Sequence, residues 1–299
     1  MSARIIDGHQ LAKQTVAAAM SAASSLKRCP GLGVIIVGDD PASHIYVRGK
    51  QKRAQEAGFL TEVVRLSADA CERDVLQAVE AFNARDEIDG ILVQLPLPKQ
   101  INTLRVMAAV DPAKDVDGLH ELNAGRLAQG IDGLIPCTPL GCMTIIRSIL
   151  PDLTGAHAVV VGNSNIVGKP MAALLLSERA TVVQTHIHTR NTGDICQSAD
   201  ILVTAVGKPG LIRGSWIKPG GIVIDVGTTR VPTDSGKFRV LGDVVFHEAV
   251  EVAGAITPVP GGVGPMTIAS LIANTAKAAA SRQALGQRSN SYQPNRHLV

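Results

Sequence analysis

The chain's 299 residues are enough for two domains with filled cores, and 45% hydrophobic and 18% charged residues without a bilayer-length apolar run describe a soluble globular protein. Aromatic residues make up only 2%, and the net charge of +3 comes from scattered Lys and Arg. This argues against stacking on single-stranded nucleic acid and against membrane or polyanion binding, while leaving room for a small anionic substrate or cofactor. Cys29, Cys71, Cys137, Cys142 and Cys196 are odd in number and form no C-x-x-C pair, and no signal-peptide run opens the chain. Reduced thiols in a cytoplasmic protein are the expectation.

In chain order, Leu11 to Leu26 is Ala-rich and predicts a helix, and Leu32 to Val37 is a continuous apolar run that predicts a strand buried on both faces. Gly38 and the turn residues after it open a second helix to about Ala57. The alternation repeats with a strand over Thr61 to Leu66, a helix over Glu72 to Ala84 and a strand over Gly90 to Leu95. Such spacing favours a mostly parallel sheet covered by helices. Residues Asp111 to Pro139, rich in Gly, Pro and Asp, are expected to be site loops and an interdomain crossing. A helix over Leu140 to Leu150 follows, then strands at Ala158 to Gly162, Thr181 to Gln184, Ile201 to Ala205 and Gly221 to Gly227, a nucleotide-binding doubly wound pattern. Met266 to about Ala280 predicts a last helix, and the polar tail predicts disorder at its end.

The densest chemistry lies in the second helix. Ser43, Tyr46 and Lys50 stand at i, i+3 and i+7, so they share a stripe at the carboxyl end of a buried strand, where open α/β sheets place ligands. An isolated motif of this kind is more often a solvated face than a site. Gly162 to Pro170 forms a turn between a strand and a helix, but its glycines are six apart, so it is not G-x-G-x-x-G. Backbone N–H groups at that helix start could hold a pyrophosphate. Lys114-Asp115-Val116-Asp117-Gly118 reads as solvated loop charge. Pro136 to Pro139 and Thr257 to Pro265 read as stiff loops, whose glycines imply either a close backbone approach or a rigid interdomain corner. His186 and His188, two residues apart, would share a strand face, but no third ligand stands at metal-site spacing, so no metal is expected.

Eight blocks now carry a resemblance: VGDDPASHIYVRGKQK, GILVQLPLP, KDVDGLH, PCTPLG, VGNSNIVGKPMAALL, AVGKPGLI, IDVG and TPVPGGVGPMT, in that order. Over nearly all of residues 1 to 280 the chain resembles the bifunctional methylenetetrahydrofolate dehydrogenase/methenyltetrahydrofolate cyclohydrolase family. The resemblance implies an α/β fold of two domains with a cleft between them. An N-terminal folate-binding catalytic domain (1–139) would be completed by a returning C-terminal helix (266–285), a Rossmann-like dinucleotide-binding domain would span 140–265, and 286–299 would be a flexible tail. It implies oxidation of 5,10-methylenetetrahydrofolate by a nicotinamide dinucleotide, then hydrolysis of the methenyl form to 10-formyltetrahydrofolate. A monofunctional cyclohydrolase or an NAD-using paralogue is the alternative. The implied partners are tetrahydrofolate one-carbon derivatives and a second copy of the chain, as a homodimer.

By this similarity Lys50 is the catalytic acid/base, Gln94 bonds and positions it, Tyr46 stacks on the pterin or flanks the reacting carbon, and Asp117 accepts hydrogen bonds from pterin donors. A lysine serves as a base near neutral pH when desolvation or a neighbouring cation lowers its pKa. Ser43 supports these residues, and Gly261 and Gly262 pack against the substrate. The dinucleotide would meet Gly162, Asn163, Ser164, Ile166, Val167, His186, His188, Ala205, Gly207 and Thr228. The chain departs from the family at three of its usual features. Asn163 replaces the turn's arginine, Thr185-His186-Ile187-His188 replaces Cys-His-Ser and a basic residue, and Thr228-Thr229 replaces Ile-Asn. A neutral Asn lacks a guanidinium's paired donors for a 2′-phosphate, and no acidic residue ends that strand to take a ribose diol. His186, His188 or Arg190 remains as a phosphate donor, and NADP ranks first on family frequency, with NAD the alternative.

Overall fold

The computed structural model describes residues 2–233 and 238–291, with side chains described through 284 except at 42. The tail expected over 286–299 lies outside the described side chains, and from 292 outside the described residues. The chain forms two compact units, one of Val16–Leu122 with the segment from Leu271 onward, the other of Met1–Thr15 with Asn123–Ser270.

The first unit is built on a three-stranded parallel sheet in which Gly31–Val37 lies between Leu60–Leu66 and Gly90–Val93. Every residue of the central strand is buried, as its unbroken apolar run requires, whereas Leu60–Leu66 is half-exposed at an edge. The Glu72–Asn83 helix covers one face with Val75, Val79 and Phe82, spaced to share one side. The Pro41–Glu56 helix starts where Asp40 Oδ2 accepts the backbone N–H of Ser43 at 2.8 Å, with Pro41 in the first turn, where no N–H is needed.

The second unit carries a six-stranded, wholly parallel sheet in the order Arg4–Ile5, Ala255–Ile256, Ile222–Asp225, Ile201–Thr204, His157–Val161, Thr181–Thr185. Alternate residues of its strands enter separate cores on the two faces, Val160, Val203 and Ile224 on one, Val159, Leu202 and Val223 on the other. A hairpin of Thr229–Pro232 and Phe238–Leu241 stands outside this sheet. The α/β class with parallel sheets is as the sequence predicts.

Several details differ from the sequence reading. Residues 1–15 and 123–139 group with the six-stranded unit. Arg4–Ile5 adds an edge strand beside Ala255–Ile256, and the Cys137–Arg147 helix gives Cys142, Met143, Ile145 and Ile146 to the core. The stretch Pro136 to Pro139 is thus a helix start, not a loop; Pro139 sits in the first turn, where a missing N–H costs no helical bond. A further helix, Glu121–Ala128, lies inside the region expected to be loops. The last helix is longer than predicted, Val263–Ser291, and its part from Leu271 belongs to the first unit. There Arg282 joins Arg28 on the buried Asp89 carboxylate, at 2.9 and 2.6 Å. All five cysteines are free, and among the described residues no helix is long and apolar enough to cross a membrane.

Candidate active site

The stripe on the Pro41–Glu56 helix runs from surface to interior: Tyr46 is 47% exposed, Ser43 half-buried, and Lys50 only 8% exposed beside the buried Val47 and Ala54. Lys50 Nζ donates to Gln94 Oε1 at 3.0 Å. Gln94 leaves the Gly90–Val93 strand with its backbone N–H still on Ile35 O at 2.8 Å, and its Nε2 donates to Leu95 O at 2.6 Å. That second bond fixes which end of the amide meets the lysine. Ser43 donates from its hydroxyl to Asp40 Oδ2 at 2.8 Å, so its side chain helps cap the helix.

The Lys114-to-Gly118 segment is not solvated charge, because its first two ionic side chains turn inward. Lys114 is 1% exposed, and its Nζ donates to the carbonyls of Phe82, Asn83 and Arg85 at 3.0, 2.7 and 2.7 Å. These include the carbonyls left open at the end of the Glu72–Asn83 helix. Burial, with a smaller push from Arg282, lowers its pKa to about 8. Asp115, also buried, accepts the N–H groups of Leu119 and His120 at 3.1 and 2.8 Å. Lys114 O accepts from Ile91 N at 2.7 Å, and Val116 O from Asn274 Nδ2 at 2.8 Å, which ties the segment to the sheet and to the last helix. Asp117 is left half-buried on a loop anchored on both sides.

In the second unit Gly162 ends the His157–Val161 strand at φ +124°, and a Cβ there would lie 2.5 Å from Ala205 O. Only glycine lets the two loops meet so closely. Asn163, Ser164 and Ile166 are exposed on this turn, and Val167 is nearly buried. Ser164 Oγ accepts from Val167 N and Gly168 N at 3.2 and 3.3 Å, and Ser164 O from Lys169 N at 3.0 Å. The helix-start N–H groups are therefore engaged by the turn's own serine. Ala205 lies beside the turn through its N–H to Val161 O at 2.8 Å; Gly207 and Thr228 are exposed on the neighbouring loops. His186 and His188 are not on a strand face, because the strand stops at Thr185 and Thr189 Oγ1 accepts His186 N at 2.9 Å to turn the chain. Their rings meet edge to face at 6.0 Å, and Ile187 between them is 92% exposed. Among the described residues no group of three or more His, Cys, Asp or Glu could hold a metal ion.

Gly262, in the same unit, has a structural reason to lack a side chain: a Cβ on it would lie 2.6 Å from that of Thr257. Gly261 O accepts from Gly8 N at 3.0 Å. The close approach expected for this loop is thus made at least in part by the chain's own backbone.

Sequence reasoning missed the inward roles of Lys114 and Asp115, and missed Asp225 and Asp243, both buried under the Ala205 and Thr228 loops. Burial, reinforced by Asp243 and opposed by backbone N–H donors, raises the Asp225 carboxyl to about 6. The available signal was an acidic residue ending an otherwise apolar strand, Ile222 to Asp225, which is unusual unless the carboxylate is partnered.

Residues 6–117 match the family model for the tetrahydrofolate dehydrogenase/cyclohydrolase catalytic domain, and residues 136–283 match that for the tetrahydrofolate dehydrogenase/cyclohydrolase NAD(P)-binding domain. A bifunctional protein FolD from Gluconobacter oxydans is 52% identical over 295 residues, which covers 96% of each chain. The crystal structure of the bifunctional enzyme FolD, a methylenetetrahydrofolate dehydrogenase/cyclohydrolase from Campylobacter jejuni, is similar at a TM-score of 0.89 and 41% identity, over 94% of this chain and 100% of that one. The Trypanosoma brucei N5,N10-methylenetetrahydrofolate dehydrogenase-cyclohydrolase, complexed with NADP cofactor and inhibitor, gives a TM-score of 0.90 and 37% identity, over 97% and 99%.

Proposed function

The chain belongs to the tetrahydrofolate dehydrogenase/cyclohydrolase family, and from that premise we propose how its residues divide the work. It oxidises 5,10-methylenetetrahydrofolate to the methenyl form and hydrolyses that form to 10-formyltetrahydrofolate, with NADP as the dinucleotide. The folate chemistry is assigned to the three-stranded unit and rests on one observation, the Lys50–Gln94–Leu95 chain of hydrogen bonds.

Gln94 holds one N–H of Lys50 Nζ, and in the amine form the nitrogen lone pair is left for water and substrate. In hydrolysis a water oxygen bonds to the methenyl carbon and its proton passes to Nζ. Nζ gives that proton to the pterin-side nitrogen as the carbon–nitrogen bond breaks, and the remaining hydroxyl proton leaves to water as the formyl C=O forms. Tyr46, exposed on the same helix, offers a ring to stack on the pterin, and Asp117 offers a carboxylate to its amino and ring N–H donors. Ser43 steadies the start of this helix through Asp40, and Gly261 and Gly262 are assigned a contact with the substrate.

The six-stranded unit fits a dinucleotide because its glycine turn and the Ala205 loop come together where a Cβ on Gly162 would be blocked. Gly162, Asn163, Ser164, Ile166 and Val167 would hold the pyrophosphate side, and Ala205, Gly207 and Thr228 the nicotinamide side. His186 and His188 stand ready for the adenosine ribose and its phosphate. A bound NADP would supply the hydride acceptor for the methylene carbon. The protein's part in that step is alignment. A homodimer through this unit is included in the proposal, supported by Phe238, 63% exposed on the hairpin; sedimentation at micromolar concentration tests it. A cytoplasmic location is supported by the five free thiols.

The decisive experiment supplies purified protein with methylenetetrahydrofolate and either NADP or NAD, and separately with the methenyl form. Turnover of both folates, with NADP the better acceptor, is expected. Hydrolysis alone would overturn the dehydrogenase assignment, and NAD as the better acceptor would overturn the cofactor.

A further inference from the structure

We propose that Asp243, backed by Asp225, is a positioning residue for dinucleotide binding: the two buried carboxylates fix the backbone of the loops that carry Ala205, Gly207 and Thr228. This rests on the reading that those loops hold NADP.

The loops leave the adjacent parallel strands Ile201–Thr204 and Ile222–Asp225; Ala205 N and Val226 N still donate to Val161 O and Thr204 O at 2.8 and 2.9 Å, and buried carboxylates accept from Val206, Lys208 and Gly227 beyond them. Asp243 reaches them from a third segment. Its Oδ2 accepts from Thr204 Oγ1 at 3.1 Å and Val206 N at 2.8 Å, and its Oδ1 accepts from Lys208 N at 2.8 Å. The pinned residues alternate with Ala205 and Gly207, the two assigned to the cofactor. Gly207 O is held in turn by Thr229 Oγ1 at 3.2 Å, so the second loop is tied to the first.

Asp225 forms the layer beneath. Its Oδ1 accepts from Gly227 N and from the backbone N–H of Asp243, both at 2.9 Å, and its Oδ2 accepts from Val244 N at 3.0 Å. Gly227 is the residue before Thr228, so fixing one orients the next. Asp225 N donates to Thr257 Oγ1 at 2.8 Å, which closes the stack from below.

Two carboxylates buried this close repel one another and lose their hydration, so as pure scaffold they are a costly choice. What they offer is acceptance alone. Each takes three donors at fixed angles, and an amide of the same shape would turn an NH2 toward one of them. Such a demand suits a loop whose shape must be held against a ligand, and Asp243 meets it at 0% exposure.

The test compares Asp243→Asn, Thr204→Val and Ala205→Glu with the parent, in the full chain. Titration with NADP gives the dissociation constant, steady-state kinetics give KM for NADP and for folate, and hydrolysis of the methenyl substrate, which consumes no dinucleotide, reports on the fold. Asp243→Asn is expected to raise the NADP Kd and KM by about tenfold or more with folate KM and hydrolysis close to parental. Thr204→Val, which removes one donor and no charge, should raise the Kd by about threefold. Parental NADP affinity in Asp243→Asn overturns the inference, as does an equal fall in both activities. Should that variant fail to fold, an unchanged Kd in Thr204→Val overturns it instead. Ala205→Glu separates the two layers of the proposal. If it binds NADP normally, the assignment of these loops to the cofactor is wrong; if it alone loses NADP, the loops are right and the positioning role is wrong.

Discussion

Replacing Lys114 by methionine keeps the apolar stem and removes the ammonium from the three carbonyls it holds at 3.0, 2.7 and 2.7 Å. Hydrogen bonds to a charged group contribute about 1.5–3 kcal/mol each, so the three together are worth about 5–9 kcal/mol. Burial opposes this. It takes the pKa from 10.5 to about 8, a drop of 2.5. At about 1.4 kcal/mol per pKa unit, keeping the amine charged costs about 3 kcal/mol. Lys114→Met should therefore lose about 2–6 kcal/mol at pH 7, out of a typical total of about 5–15. Urea unfolding measures it. The pH dependence has a definite sign. The unfolded lysine keeps its proton to about pH 10.5 and the folded one only to about 8, so between those values the unfolded state binds more protons and stability rises with pH. That gain belongs to the parent alone, so the deficit of the variant should widen by about 2 kcal/mol between pH 7 and 9.5. A deficit below about 1 kcal/mol at pH 7, or one that narrows in alkali, refutes the balance of burial against carbonyl bonding.

Lys50→Met should lower hydrolysis of the methenyl substrate by at least about a hundredfold while circular dichroism and melting stay parental, because the proton carrier goes and the stem remains; near-parental hydrolysis would show that another group moves the proton. The dehydrogenase rate should fall less, since hydride transfer needs no base. Asp117→Ala should weaken folate binding by about ten- to a hundredfold in calorimetry and leave NADP binding alone, and equal folate affinity would remove Asp117 from the site. Asn163→Arg should move the ratio of catalytic efficiencies toward NADP by about tenfold. A parent already strongly NADP-selective, with no gain in the variant, would assign the 2′-phosphate to His186, His188 or Arg190.

The strands that span a buried sheet were legible in the sequence because burial on both faces demands an unbroken apolar run, and Leu32 to Val37 shows one. Arg4–Ile5 and Ala255–Ile256 escaped because two residues carry no periodicity; only pairing makes them strands, the first to the second and the second also to Ile222–Val223. The Glu121–Ala128 helix was hidden by Gly, Pro and Asp around it, and the Cys137 start by a proline pair that reads as a breaker. In a first turn it is not one. His186 and His188 were misplaced for a related reason: alternation suggested that the strand ran on, but a threonine side chain three residues away turned it.

At the candidate site, spacing along one helix was enough to line up Ser43, Tyr46 and Lys50, since a helix fixes its own neighbours. Gln94 stands 44 positions from Lys50, and no periodicity joins them; only the resemblance did. The charged loops were the hardest to read, because a charge run gives no sign of which members face inward. Lys114 finds its carbonyls about thirty positions earlier, and Asp243 finds its N–H groups 35 and 37 positions earlier.

The two units nonetheless use one device. Buried ionic side chains saturate backbone groups and so anchor a short loop, and the residue between the anchors is left displayed. Lys114 and Asp115 do this around Asp117, and Asp243 does it around Ala205 and Gly207. Neighbouring residues of like charge in such a loop therefore have opposite duties. Asp115→Asn should disturb the fold, because its two carboxylate oxygens hold two N–H groups. Asp117→Asn should spare the fold and weaken folate binding. Unfolding curves and folate titrations on the two variants test the division directly, and an exchange of the two phenotypes would mean that the carboxylate facing the substrate has been assigned to the wrong position.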